Sequence, residues 1–180
     1  MPLAQPAPMG SAEPYKLLPP TEETAMPDAH LTDVLDTAIQ REREAYRFYT
    51  DLKGRVQDDS ARQAIDFIAG EELKHEAFLL DYKGGKLGDG ALQMRQAIHY
   101  KIAEYLEEPD VAEDMSSQEV FLVAAHRESR SNRFYAELAA LHGDPDLKDM
   151  LLKMANEELK HKEKMEYLYA NTAFPQTDGG

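Results

Sequence analysis

A pentapeptide occurs twice in this chain. Glu71-Glu72-Leu73-Lys74-His75 returns letter for letter as Glu157-Glu158-Leu159-Lys160-His161, and each copy places a glutamate and a histidine three residues apart. On a helix that spacing turns both side chains the same way, so one carboxylate and one imidazole can grip one cation. A lone Glu-x-x-His is commonplace on helix surfaces. Here each copy is also preceded, 30 residues earlier, by a further glutamate, Glu42 or Glu128. Four carboxylates and two imidazoles in two matched sets are the donors for a pair of metal ions.

The match extends well beyond the pentapeptide. At a constant offset of 86 residues, Ala38, Arg41, Glu42, Arg47, Phe48, Tyr49 and Leu52 recur as Ala124, Arg127, Glu128, Arg133, Phe134, Tyr135 and Leu138, with no insertion before the repeated block. Each half reads as two helices. Leu35, Ala38, Ile39, Glu42, Ala45, Tyr46, Tyr49 and Leu52 fall at spacings of three and four, as do Ile65, Ile68, Glu72, His75, Leu79 and Tyr82 after an Asp58-Asp59-Ser60 start signal. The third stripe, Phe121, Ala124, Ala125, Glu128, Tyr135 and Leu138, follows a capping-box pattern from Ser116 to Glu119. The fourth is Leu147, Leu151, Met154, Glu158, His161, Met165 and Leu168, with Asp144 as N-cap and Pro145 in the first turn. Short connections make the helices of each half antiparallel neighbours.

These spacings predict an all-α fold, a four-helix bundle of two pseudo-symmetric hairpins, 31–82 and 117–170, within a domain spanning 29–170. The crossover, 83–116, is long enough to return the chain to the starting end of the bundle. It opens with Gly84-Gly85 to Gly90 and contains a short amphipathic helix marked by Met94, Ile98, Ile102 and Tyr105. Residues 1–28 hold seven of the ten prolines and no apolar periodicity, and are expected to be a flexible tail, as are 171–180.

Glu42, Glu72, His75, Glu128, Glu158 and His161 lie inside the apolar stripes, where charge is costly. A carboxylate taken out of water loses several kcal/mol even after relaxation, and four converging carboxylates also repel one another. Arg41, Arg43, Arg127 and Arg130 are mostly rotated off the stripes, so an internal salt-bridge network is the poorer remedy. Two divalent cations neutralise four carboxylates. The oxygen and nitrogen donors suit iron, with manganese or zinc as other occupants. Tyr49 and Tyr135 sit seven residues after Glu42 and Glu128 on the same faces, where their hydroxyls can bond a ligand or relay an electron. Packing in the core with a satisfied hydroxyl is the other reading. His30, His99, His126 and His142 lie off the facing positions and are not expected as ligands, and Met154 and Met165 read as core.

Composition bounds the remaining possibilities. The chain contains no cysteine, which excludes disulfides, thiolate metal sites and iron–sulfur clusters. Its net charge of -14, without a compact basic cluster, argues against nucleic acid. No membrane span or secretory leader is visible, so a cytoplasmic location is expected.

Ala38-Ile39-x-x-Glu42-x-x-Ala45-x-x-Phe48-Tyr49 and Asp144-Pro145-Asp146-Leu147-Lys148, each followed by a Glu-Glu-x-x-His block, resemble the phrases of the rubrerythrin-like branch of the ferritin-like superfamily over about residues 31–170. The resemblance implies two iron ions reacting with peroxide or dioxygen, with Glu72 and Glu158 bridging and Glu42 and Glu128 terminal. Two departures stand out. Where the family has an additional glutamate one turn after the third-helix ligand, this chain has Ser131, and the cysteines of a rubredoxin-type domain are missing. Electrons would have to come from an external donor. The four-Glu, two-His set is also similar to that of bacterioferritins, which brings ferroxidase or iron-handling work into contention. A third reading is a structural or interaction module, metal-stabilised or metal-free. The default assembly is a homodimer, and the long crossover permits exchange of hairpins between subunits.

Overall fold

The computed structural model describes residues 28–86 and 100–173, and its elements are all helices. They are α1 (Asp28–Lys53), α2 (Asp59–Lys83), α3 (Ile102–Tyr105), α4 (Ser117–Leu141) and α5 (Pro145–Ala173). The proline-rich segment before residue 28, the crossover residues Gly90, Met94, Ile98 and His99, and residues 174–180 lie outside the described residues. Among the described residues no helix is long and apolar enough to cross a membrane.

Helix starts fall where the polar signals stand. The first N–H groups of a helix have no partner within it and need an external acceptor. Asp58 supplies one to α2, accepting from the Ala61 amide at 2.8 Å. Ser116 and Glu119 form the reciprocal capping box of α4. Asp144 accepts from the Leu147 amide at 2.8 Å, with Pro145 in the first turn of α5.

α1 pairs with α2 and α4 with α5, and the two hairpins join as a four-helix bundle around two apolar clusters. One gathers Leu52, Val56, Ile65, Ile68, Val120, Val123 and Met165, and the other Leu35, Ile39, Leu79, Ala139, Leu147, Leu151 and Met154. On every long helix the expected metal-binding positions fall between the two clusters: Glu42 between Ile39 and Leu52, Glu72 and His75 between Ala69 and Leu79, Glu128 between Ala125 and Ala139, Glu158 and His161 between Ala155 and Met165. The bundle therefore closes apolar layers above and below one polar layer.

The periodicity misplaces two aromatic residues. Tyr46 is half-exposed rather than buried, and Tyr105 is 82% exposed. Within α3 it is Ala103 that turns inward, because the crossover is held by polar contacts rather than by an apolar stripe. The Ala103 amide donates to Glu166 Oε1 at 2.7 Å, and buried Lys162 Nζ reaches Glu104 at 2.8 Å and Glu166 at 3.2 Å. The ends of the bundle also extend further than the hairpin boundaries drawn from sequence. α1 begins at Asp28, and residues 171–173, expected in the tail, continue α5. Leu168 and Tyr169 pack on the core just before them, and the Thr172 carbonyl accepts from Gln118 Nε2 at 3.1 Å, which ties that last turn to α4.

Candidate metal centre

The middle layer brings together all six residues singled out as metal donors. Glu42 comes from α1, Glu72 and His75 from α2, Glu128 from α4, and Glu158 and His161 from α5, and none is more than 5% exposed. Their donor atoms form two overlapping groups of four, and a smaller one, His75, Glu158 and His161, links them. Glu42, Glu72, His75 and Glu158 make one, and Glu128, Glu158, His161 and Glu72 the other, with the atoms of each group within 4.8 Å of one another. Glu72 and Glu158 belong to both. Glu42 and Glu128 belong to one each.

Distances within the layer support the pairing. His75 Nδ1 lies 3.1 Å from Glu158 Oε1, 3.3 Å from Glu42 Oε2 and 3.8 Å from Glu72 Oε2. His161 Nδ1 lies 3.6 Å from Glu128 Oε2 and 4.0 Å from Glu158 Oε2. The two imidazoles stack, with ring centroids 5.3 Å apart.

The electrostatics sort the carboxylates into the same two kinds. Burial raises the proton affinity of Glu72 and Glu158, and the charge of neighbouring glutamates raises it further, leaving both well above 4.5. Burial acts on Glu42 and Glu128 too, but the close approach of His75 and His161, with that of Glu72 and Glu158 and the tyrosine hydroxyls, outweighs it and brings both below the ordinary value. Burial alone would lower His75, yet its contacts with Glu158, Glu42 and Glu72 hold its proton well above the usual range. Converging negative charge favours protons on this cluster for the same reason that it would favour a cation.

The donor atoms also test whether metal fits. Glu42 Oε2, Glu72 Oε1, His75 Nδ1, Glu128 Oε2, both carboxylate oxygens of Glu158 and His161 Nδ1 are buried without a hydrogen-bond partner. Buried polar atoms are nearly always paired, so seven such atoms facing one layer call for a shared partner. A pair of cations with oxygen and nitrogen ligands satisfies them together.

Tyr49 and Tyr135 lie beside this layer and are fully buried. Their partners are crossed: Tyr49 on α1 donates to Glu128 on α4, and Tyr135 on α4 donates to Glu42 on α1. Burial, followed by the charge of the glutamate each one meets, keeps both hydroxyls protonated and able to donate. A second crossed pair reinforces the first. The Arg41 guanidinium sits 4.1 Å over the ring of Phe134, and that of Arg127 4.6 Å over Phe48. The sequence repeat contained Arg41, Phe48, Arg127 and Phe134, which was the available signal, but repetition cannot reveal that each arginine would stack on the other half's phenylalanine. Arg43 pairs with Glu76 and Arg130 with Glu108 at the surface, away from the layer. His126 is directed to the Leu106 carbonyl at 2.9 Å.

Two hairpins contributing carboxylates and Glu-x-x-His pairs to a shared polar layer make a four-helix bundle whose buried donors are consistent with a di-metal carboxylate site. Residues 9–83 match the family model described as Rubrerythrin, which covers the first hairpin with Glu42, Glu72 and His75. The second hairpin, outside that match, carries the same ligand pattern through the internal repeat. No curated protein and no solved structure matches the chain.

Proposed function

We propose that this chain is a di-iron carboxylate oxidoreductase that reacts with peroxide or dioxygen and draws electrons from an external donor. One observation carries the reading: the unpartnered buried atoms of four glutamates and two histidines converge between two apolar clusters. Glu42, Glu72 and His75 would hold one ion and Glu128, Glu158 and His161 the other, with Glu72 and Glu158 shared. Bound iron supplies a pair of one-electron changes that oxygen and nitrogen side chains cannot make themselves; manganese or zinc would fit the same donors.

The protein's own contributions are positional. Tyr49 and Tyr135 fix the orientation of the terminal carboxylates from the opposite hairpin, as outer hydrogen bonds do at metal centres. The apolar clusters exclude bulk water on both sides along the bundle, which strengthens every charge interaction between them.

Iron handling is the second reading, favoured by Ser131 standing where an additional carboxylate would complete the rubrerythrin pattern. Ferrous iron added to the metal-free protein in the absence of oxygen, followed by peroxide or air, separates the two. An oxidoreductase holds its iron at a fixed, small ratio and can be cycled by re-reduction. An iron-handling protein goes on accumulating ferric iron with each addition. Failure to bind ferrous iron would contradict both and favour a metal-free structural module.

A further inference from the structure

The centre is closed on most sides. Apolar clusters cover it along the bundle in both directions. Between α1 and α4 the crossed tyrosine–glutamate bonds and the arginine–phenylalanine stacks bar the way. Along the seam where α2 meets α5, His75 and His161 stand against each other.

One side chain on that seam is out of keeping with its surroundings. Phe67 on α2 is 44% exposed, yet its ring meets the buried imidazole of His161 edge to face, with centroids 6.5 Å apart. Lys164, one turn beyond His161, lays its ammonium 3.0 Å from the centre of the Phe67 ring. The pair thus spans the seam from both helices directly outside a candidate ligand. The internal repeat supplies a comparison. Phe67 corresponds to Lys153 and Lys164 to Phe78, so the same two residue types stand on the His75 side with their helices exchanged. There Lys153 turns to Asp149 on its own helix, at 2.7 Å, and Phe78 packs against the core. The cap exists at one end of the seam.

We propose that Phe67 and Lys164 form a hinged cap over His161 that controls passage of metal ions into and out of the centre. This rests on the di-metal reading above. Phe67 is half in solvent, so its ring can swing outward without disturbing the core, and side-chain rotation at exposed positions is fast. The ammonium of Lys164 holds the ring by a cation–π contact and repels an approaching cation while the cap is shut.

The test is the rate of cobalt(II) uptake by the metal-free full chain, and of its release to a chromogenic chelator, for the parent, Phe67→Ala, Phe67→Leu, Lys164→Gln and Lys153→Gln. Phe67→Ala and Lys164→Gln should each speed uptake and release by about two- to fivefold, the rate equivalent of losing one exposed cation–π contact, with an unchanged number of ions bound. Phe67→Leu, which keeps the bulk but not the π-face, should fall between Phe67→Ala and the parent. Lys153→Gln should match the parent. Unchanged rates in Phe67→Ala and Lys164→Gln, with full binding, would overturn the cap and leave the centre standing. If Phe67→Ala does not fold, Phe67→Leu and Lys164→Gln decide by the same criterion. A parent that binds no cobalt would overturn the centre and the cap together.

Discussion

The two hairpins share an inner face and differ on their outer one. Inside, Glu42, Glu72 and His75 are matched by Glu128, Glu158 and His161, all buried between the same two apolar clusters, and Tyr49 is matched by Tyr135, one buried in each cluster. Outside, α5 carries Lys162 and Glu166, both buried under the crossover, whereas the corresponding residues of α2 are Glu76, paired with Arg43 at the surface, and Leu80, which is exposed. The buried Glu/His layer draws the same residue types from both halves. The outer faces answer only to what covers them, and the crossover covers one helix of the pair.

That contrast can be broken most severely at Lys162. Replacing it by Met leaves Glu166 buried without its cation and should cost about 3–5 kcal/mol, as breaking one partner of a buried ion pair generally does. Glu76→Met, at the matching position of α2, removes only a surface pair and should cost about 0–1 kcal/mol. Denaturant unfolding of the metal-free proteins measures both, and equal losses would contradict the asymmetry.

The inner equivalence makes the next expectation. His75→Ala and His161→Ala should each remove one ion of the two and leave the other bound, by elemental analysis after dialysis. Tyr49→Phe and Tyr135→Phe should then weaken metal binding by similar factors, on the order of 10–100-fold, the usual cost of losing an outer hydrogen bond to a ligand. Isothermal titration with zinc would read it. A large effect at one tyrosine alone would show that the two terminal carboxylates are not held alike.

The smallest effect concerns pH. In the metal-free protein Glu72 and Glu158 lie well above 4.5 and His75 well above 6.5, so the folded state holds protons that the unfolded chain releases. Their stabilisation is fully present below those ordinary values and is lost as pH rises through the folded ones. Glu42 and Glu128 lie below 4.5 and act oppositely, losing their contribution only as pH falls under that value. The Tm of the metal-free protein should therefore decline from weakly acidic toward alkaline pH, and bound metal, replacing those protons, should flatten the decline.

Much of this was legible in the sequence because the buried Glu/His layer imposes a pattern that ordinary packing does not. Charged residues inside apolar stripes, repeated at one offset, fix both the helices and the donors. Caps at Asp58, Ser116 and Asp144 were readable for the same reason, since each is a local polar signal with a local partner. What could not be read was contact between halves. The crossed bonds of Tyr49 and Tyr135, the stacking of Arg41 and Arg127, and the cap of Phe67 and Lys164 all depend on how two hairpins dock. Tyr105 was misread because a short amphipathic stretch does not say which of its sides will meet a neighbour, and here a backbone amide and a buried lysine hold the crossover instead.

The most direct test of the centre is metal content, by elemental analysis, of protein purified without chelators and of the same protein after anaerobic loading with ferrous iron, alongside the double variant Glu72→Ala, Glu158→Ala. The proposed centre predicts about two ions per chain in the parent and none held by the variant, as for paired carboxylate centres in such bundles. A parent that stays empty after loading would contradict the di-metal centre and leave seven buried polar atoms without a physical partner.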